Sequence, residues 1–160
     1  MNRRHTDMKR KTLALLACGA LLAGGAATVP ARAMTHRHVT HRQVSIAVRL
    51  RQQAFSGVTG SATVSYNAAT NMTTVKVTVN HLEPGSSHPE HIHAGTCSSN
   101  GPVLAGLKTI KANATGTGVA TTTFKGSVMN KAAYINVHMG PGLALTQYTV
   151  LACGVLGKGT

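Results

Sequence analysis

The chain has 160 residues, and its 16 Lys and Arg against 3 Asp and Glu give a formal charge of +13. Residues 1–33 carry six of the basic groups and Asp7, so residues 34–160 keep ten basic side chains against Glu83 and Glu90, a formal charge of +8. These 127 residues suffice for one hydrophobic core; having two carboxylates and no Asp excludes EF-hand loops, two-metal nucleases and most glycoside hydrolases, and having no Trp, 2 Phe and 3 Tyr excludes nucleic-acid binding by aromatic stacking.

Residues 1–33 read as an export signal: the basic MNRRHTDMKRK, the apolar run from Thr12 to Val29, and the small-residue cleavage pattern Ala31-Arg32-Ala33. The alternatives are a retained membrane anchor over the same run and lipid attachment at Cys18. The Gly and Ala content of the run and the processing pattern after it favour cleavage, giving a secreted or cell-envelope protein with no transmembrane segment after processing. Export also places Cys97 and Cys153 in an oxidising compartment, where disulfides persist.

Residues 34–42 (MTHRHVTHR) form a polar, His-rich lead-in expected to be disordered. Cleavage after Ala33 creates an N-terminus Met34-Thr35-His36. Its amine, two amides and imidazole can enclose Cu(II) in a square plane.

From Gln43 the pattern is strict alternation. Val44, Ile46, Val48 and Leu50 face one way, and Ser45, Ala47, Arg49 and Arg51 the other, which predicts a half-buried strand. Gly57 and Gly60 bracket a turn, after which Ala62, Val64 and Tyr66 alternate with Ser61, Thr63 and Ser65. Asn67 to Asn71 reads as a hairpin loop leading into a strand on which Val75, Val77 and Val79 share a face. Glu83-Pro84-Gly85-Ser86-Ser87 is a loop containing a tight turn. A short strand follows at Glu90 to Ala94, then strands at Val103 to Ile110, Gly118 to Phe124, Ala133 to His138 and Thr146 to Ala152. Many short strands with no helical period predict an all-β, Greek-key antiparallel sandwich or flattened barrel.

The chemistry concentrates in His88-Pro89-Glu90-His91-Ile92-His93 and Asn136-Val137-His138. On a strand, His91 and His93 point to one face and Ile92 to the other. Imidazole suits copper and zinc, and two rings on one strand grip a metal only when a third comes from a neighbouring strand. His138 is the candidate, with Tyr134 and Asn136 on its face and Ile135 and Val137 opposite, so it need not be a core residue. A lone His in such a strand is otherwise a surface or hydrogen-bonding residue. The basic residues are scattered singly, with no helical reader and no Gly-rich phosphate loop, so no specific nucleic-acid partner is expected.

The progression Gly60, Ala62, Val75, Val77, Val79, Leu82, Pro84, Gly85, His91-Ile92-His93-Ala94-Gly95, Asn100-Gly101-Pro102-Val103 and Tyr134-Ile135-Asn136-Val137-His138 resembles the CHRD domain family of exported proteins. A narrower set, His88, His91, His93, Cys97, His138 and Leu151-Ala152-Cys153-Gly154-Val155, is similar to the copper/zinc superoxide dismutases. The resemblance spans Val44 to Gly157 and implies a CHRD/superoxide dismutase-like β domain over residues 43–160. It implies that His91, His93 and His138 are copper ligands, that His88 supports the site without ligating, and that Cys97 and Cys153 form an intrasubunit disulfide. Such a bond, closing about 57 residues, contributes on the order of 4 kcal/mol in the chain-entropy model.

The departures from the dismutase pattern are as informative. No His lies between His93 and His138, so the bridging and zinc-binding histidines are missing, and residues 34–160 contain no Asp to bind zinc. Val150 stands where that family has its catalytic Arg, three residues before the last cysteine. A superoxide anion loses the positive side chain that holds it, so normal dismutase activity is not expected.

The leading expectation is an exported CHRD-like protein that binds one copper ion through three histidines. His81, His88 or Met139 are candidates for a fourth position. The alternatives are a metal-free structural or interaction domain, whose basic surface meets anionic cell-envelope polymers, and a copper-only redox enzyme.

Overall fold

The computed structural model describes residues 43–140 and 148–157. The expected export signal with Cys18, the His-rich lead-in and the Met34-Thr35-His36 copper site lie outside the described residues.

Among the described residues ten strands follow in order: β1 (Gln43–Gln52), β2 (Thr59–Asn67), β3 (Met72–Asn80), β4 (Ser87–His88), β5 (Glu90–Ala94), β6 (Val103–Gly106), β7 (Ile110–Lys111), β8 (Gly118–Lys125), β9 (Ala133–His138) and β10 (Val150–Leu156). Eight form one sheet in the order β6-β5-β9-β10-β1-β2-β3-β8, and β4 pairs with β7. The sheet curls into a nearly closed barrel, whose two edges meet where the Lys108 amide just beyond β6 donates to Thr122 Oγ1 on β8 at 2.8 Å. Across that seam β5, β6 and β8 run consecutively and β9 returns beside β5, a Greek-key order.

Alternation builds the core. Val48 and Leu50 on β1, Ala62 and Val64 on β2, and Val75, Val77 and Val79 on β3 are buried, while Arg49, Ser61 and Lys76 between them are exposed. Ile92, Ile135 and Val137 join the same cluster from β5 and β9. Fully burying a Val or Ile stabilises by roughly 1.5–3 kcal/mol, so this shared inner face sets the register of every pairing.

The turns follow their chemistry. Asn67 Oδ1 accepts from the Ala69 amide at 2.9 Å and Asn71 adopts φ 53°, closing the β2–β3 hairpin as expected. In Glu83-Pro84-Gly85-Ser86 the Ser86 amide reaches the Glu83 carbonyl at 3.1 Å with Gly85 at φ 79°, the conformation of a type II turn.

Three expectations shift. Gly60 lies inside β2 rather than at the turn: a Cβ there would sit 2.2 Å from the Thr78 carbonyl oxygen, so its role is close strand approach. The strand expected over Val103 to Ile110 is two: the Leu107 amide still bonds the Glu90 carbonyl in register with β5 (3.0 Å), and the Lys108 amide then turns away to Thr122. The last strand runs over Val150–Leu156, four residues beyond its expected end.

Candidate metal centre

β5 lies between β6 and β9. His91 and His93 project from one face, while Ile92 and Glu90 on the other are buried at 0% and 1% exposure. On β9 the face with Ile135 and Val137 enters the core, as alternation requires. The opposite face is buried too, including His138 at 8% exposure. The expectation that His138 need not be a core residue holds only in that the apolar core does not contain it; a separate cover buries it.

That cover is built by the disulfide loop and by the chain entering β10. Cys97 and Cys153 are bonded across 56 residues. Within the loop that follows Cys97, the Ser99 carbonyl accepts from the Tyr134 hydroxyl at 2.6 Å and the Gly101 carbonyl bonds His93 Nδ1 at 2.8 Å. From the other side, the Tyr148 carbonyl bonds His138 Nδ1 at 2.8 Å and the Thr149 carbonyl accepts from the Met139 amide at 2.9 Å. Tyr134 stacks on His93 with ring centroids 5.2 Å apart and 18° between planes.

The histidines converge. One ring nitrogen from each of His91, His93 and His138 lies within 4.8 Å of the others, a group that can hold a metal ion. Because a carbonyl only accepts, Gly101 and Tyr148 fix the proton of His93 and His138 on Nδ1, which leaves Nε2 of each with a free lone pair. His91 Nδ1 and His93 Nε2 are closed to solvent and have no hydrogen-bond partner. Burial, followed by the neighbouring charges of His138 and His93, lowers the pKa of His91 from its ordinary 6.5, favouring the neutral ring that a metal requires. Two metal–nitrogen bonds of about 2.1 Å span at most about 4.2 Å. A pair at the 4.8 Å limit therefore has to close by at least about 0.6 Å to share one ion.

Of the candidates for a fourth position, His88 is engaged elsewhere: buried at 3% exposure, it bonds Ser86 Oγ through Nε2 at 2.7 Å and the His138 carbonyl through Nδ1 at 2.9 Å. His81 is exposed in a left-handed conformation (φ 65°) after β3, and Met139 is 45% exposed. A cleft of about 250 Å³ opens beside the triad, with His93, Asn136, His138, Tyr148 and Val150 in its wall, and among the described residues no Lys or Arg lines it.

Two residues inside these motifs received no role from the sequence. Glu90 faces the apolar interior opposite Val137 with Oε2 unpaired, and desolvation pushes its pKa from 4.5 up to about 8. Its alternation with Ile92 was the available signal. Asn136, 3% exposed, has its Oδ1 buried without a partner.

Among the described residues no helix is long and apolar enough to cross a membrane. In comparison with known proteins, the family model for the CHRD domain matches residues 38–142, which include all three histidines and Cys97, while β10 with Cys153 lies beyond the match. No curated protein matches the chain.

Proposed function

Taking as premise that the chain belongs to the CHRD domain family, we propose that it is an exported protein binding one copper ion through His91, His93 and His138. The observation that carries this reading is the set of unpartnered, buried ring nitrogens on His91 and His93, which meet His138 within 4.8 Å. No group among the described residues satisfies these atoms, and leaving buried polar atoms unpaired is costly. A divalent ion bonded to all three removes that cost, and imidazole donors place copper ahead of zinc in affinity.

Each chain residue has a definite task at such a centre. Gly101 and Tyr148 hold two rings in the ligating tautomer, Tyr134 stacks on one of them, and His88 braces the His138 backbone. The bound ion supplies a Lewis-acidic, one-electron centre. The similarity to the copper/zinc superoxide dismutases supports the ligand set, His88 as a support and a Greek-key relationship of the folds. Val150, paired with His138 on β10, puts an apolar side chain beside the cleft, so an anionic substrate finds no fixed cation there. Copper binding without normal dismutase activity follows. The Met34-Thr35-His36 terminus is a second copper site in this proposal if processing follows Ala33, and an intact mass with a different first residue removes it.

Interaction with anionic cell-envelope polymers is a second role, favoured by one observation. The seven Lys and Arg among the described residues are all exposed, whereas of the two Glu only Glu83 is. Such a surface attracts polyanions and repels none.

The test is metal analysis of the secreted protein after growth in copper and zinc, with His91→Ala, His138→Ala and a deletion of residues 34–42. The expected result is about one copper per chain, lost in both point variants and retained without the lead-in. Protein free of metal after copper-replete growth overturns the reading and leaves the histidines as hydrogen-bonding groups.

A further inference from the structure

Four buried side-chain atoms lack a hydrogen-bond partner among the described residues: Glu90 Oε2, His91 Nδ1, His93 Nε2 and Asn136 Oδ1. Glu90 faces the barrel interior, but the other three belong to one face of the β5–β9 pair. Asn136 is the register partner of His91, the diagonal neighbour of His93 (whose own partner is Tyr134), and two residues before His138 on the same face. Side chains directly opposite across such a pair have Cβ atoms about 5 Å apart. No other position on this face neighbours all three histidines.

Three polar atoms around Asn136 already have protein partners. The Tyr134 hydroxyl, His93 Nδ1 and His138 Nδ1 each hold a backbone carbonyl. The Asn136 oxygen is excluded from this network and from solvent, and its residue is 97% buried in the wall of the cleft. The neighbouring unpaired atoms, His91 Nδ1 and His93 Nε2, are ring nitrogens of the kind a metal ion takes, and an ion bonded to the Asn136 oxygen as well would satisfy all three atoms at one centre.

We infer that Asn136 is the fourth protein ligand of the triad, binding the metal through Oδ1. This rests on the reading of the triad as a metal site and specifies its chemistry. Three imidazoles and one neutral amide oxygen form an N₃O donor set. An amide oxygen is a hard donor, so it stabilises Cu(II) or Zn(II) more than Cu(I), which prefers thioether or thiolate. The site therefore favours the oxidised ion, the opposite of what Met139 as fourth ligand would give.

The experiment uses the mature, disulfide-bonded protein and copper alone as the probe. Cu(II) and Cu(I) affinities are measured for wild type, Asn136→Leu and Asn136→Asp, and the waters on Cu(II) are counted from line broadening by oxygen-17 water in electron paramagnetic resonance. The expected result for Asn136→Leu is a loss of Cu(II) affinity of about tenfold or more, a smaller loss for Cu(I), and one additional bound water. Its metal-free melting temperature does not fall, since the substitution removes an unpaired polar atom. Asn136→Asp keeps an oxygen donor, retains Cu(II) and takes up no extra water.

Equal loss of both oxidation states, an unchanged water count in Asn136→Leu, or an Asp variant as weak as the Leu variant overturns the assignment while the triad stands. Wild-type protein that binds neither ion overturns the triad and this inference together.

Discussion

The His88 ring bridges the Ser86 hydroxyl, 2.7 Å from Nε2, and the backbone carbonyl of His138, 2.9 Å from Nδ1, tying the turn before β4 to the end of β9. Since the carbonyl only accepts, Nδ1 carries the proton, and His88 acts on the triad through its backbone. Replacing His88 with Leu leaves the buried groups unpaired and is expected to lower metal-free stability by about 1–3 kcal/mol. Copper affinity is expected to drop roughly tenfold or more, as for other residues that orient ligands. Urea melts and copper titrations read the two effects, and unchanged copper affinity would limit His88 to a structural brace.

Glu90 gives the protein an unusual pH profile. Its carboxyl is held up at about 8 by burial, against 4.5 when exposed, so between these values the folded chain keeps a proton that the unfolded chain releases. Stability from this group is full below about 4.5 and is lost as pH rises through about 8. His91, with its lowered pKa, acts in the other direction, its share being lost as pH falls below the ordinary 6.5. Glu90→Gln mimics the protonated carboxyl and isolates the first effect. At pH 7 the variant is expected to be more stable by ~3 kcal/mol, converging on wild type near pH 4. Metal-free urea melts across this range check it, and parallel profiles for the two proteins would refute the buried-carboxyl assignment.

The disulfide joins stability to ligand geometry. Opening the Cys97–Cys153 bond frees a loop of 56 residues' separation, costing on the order of 4 kcal/mol in the chain-entropy model. The same loop carries the Gly101 carbonyl that orients His93. Cys97→Ser with Cys153→Ser is therefore expected to lower both the melting temperature and copper affinity. Loss of stability with copper affinity intact would show that the loop keeps its shape without the bond.

The β1–β2 connection stores strain. Ala54 and Phe55 adopt φ 49° and 55°, and Phe55 is 99% exposed, so its ring gains nothing from packing. The Ser56 amide bonds the Gln53 carbonyl at 2.9 Å, and the Gln53 amide and Ser56 hydroxyl both donate to the Leu151 carbonyl, at 2.8 and 2.6 Å. These bonds hold the turn against its conformational preference. Ala54→Gly and Phe55→Gly are each expected to stabilise by about 1 kcal/mol, the left-handed penalty relieved. Thermal melts of the single variants decide it, and a loss in both would mean that the turn relaxes in solution.

Much of the barrel was legible in the chain. The alternation of Val44, Ile46, Val48 and Leu50 and of Val75, Val77 and Val79 gave strand, face and core together, because the two-residue period is local. The Pro84-Gly85 turn was likewise readable, since Gly85 alone takes φ 79° without cost. Strand ends were not, because they depend on where partners stop. The Lys108 amide leaves the ladder with β5 for the Thr122 hydroxyl, a bond that no local pattern announces. Likewise Gly154 continues β10 past the expected end because its missing Cβ lets the strand approach Arg49, whose carbonyl oxygen would sit 2.5 Å from a side chain there.

The sequence by itself determined an all-β domain, the shared face of His91 and His93, and the identity of the third histidine and of the paired cysteines. Each of these follows from residue type, from period-two geometry or from family resemblance. Only the tertiary structure decided which atoms lack partners. Antiparallel pairing sets Asn136 opposite His91, the covering loop and the segment before β10 bond the rings of His93 and His138, and the barrel wall turns the Glu90 carboxyl inward. Whether a polar atom is satisfied depends on every neighbour brought near it by folding, and those neighbours come from strands far apart in the chain.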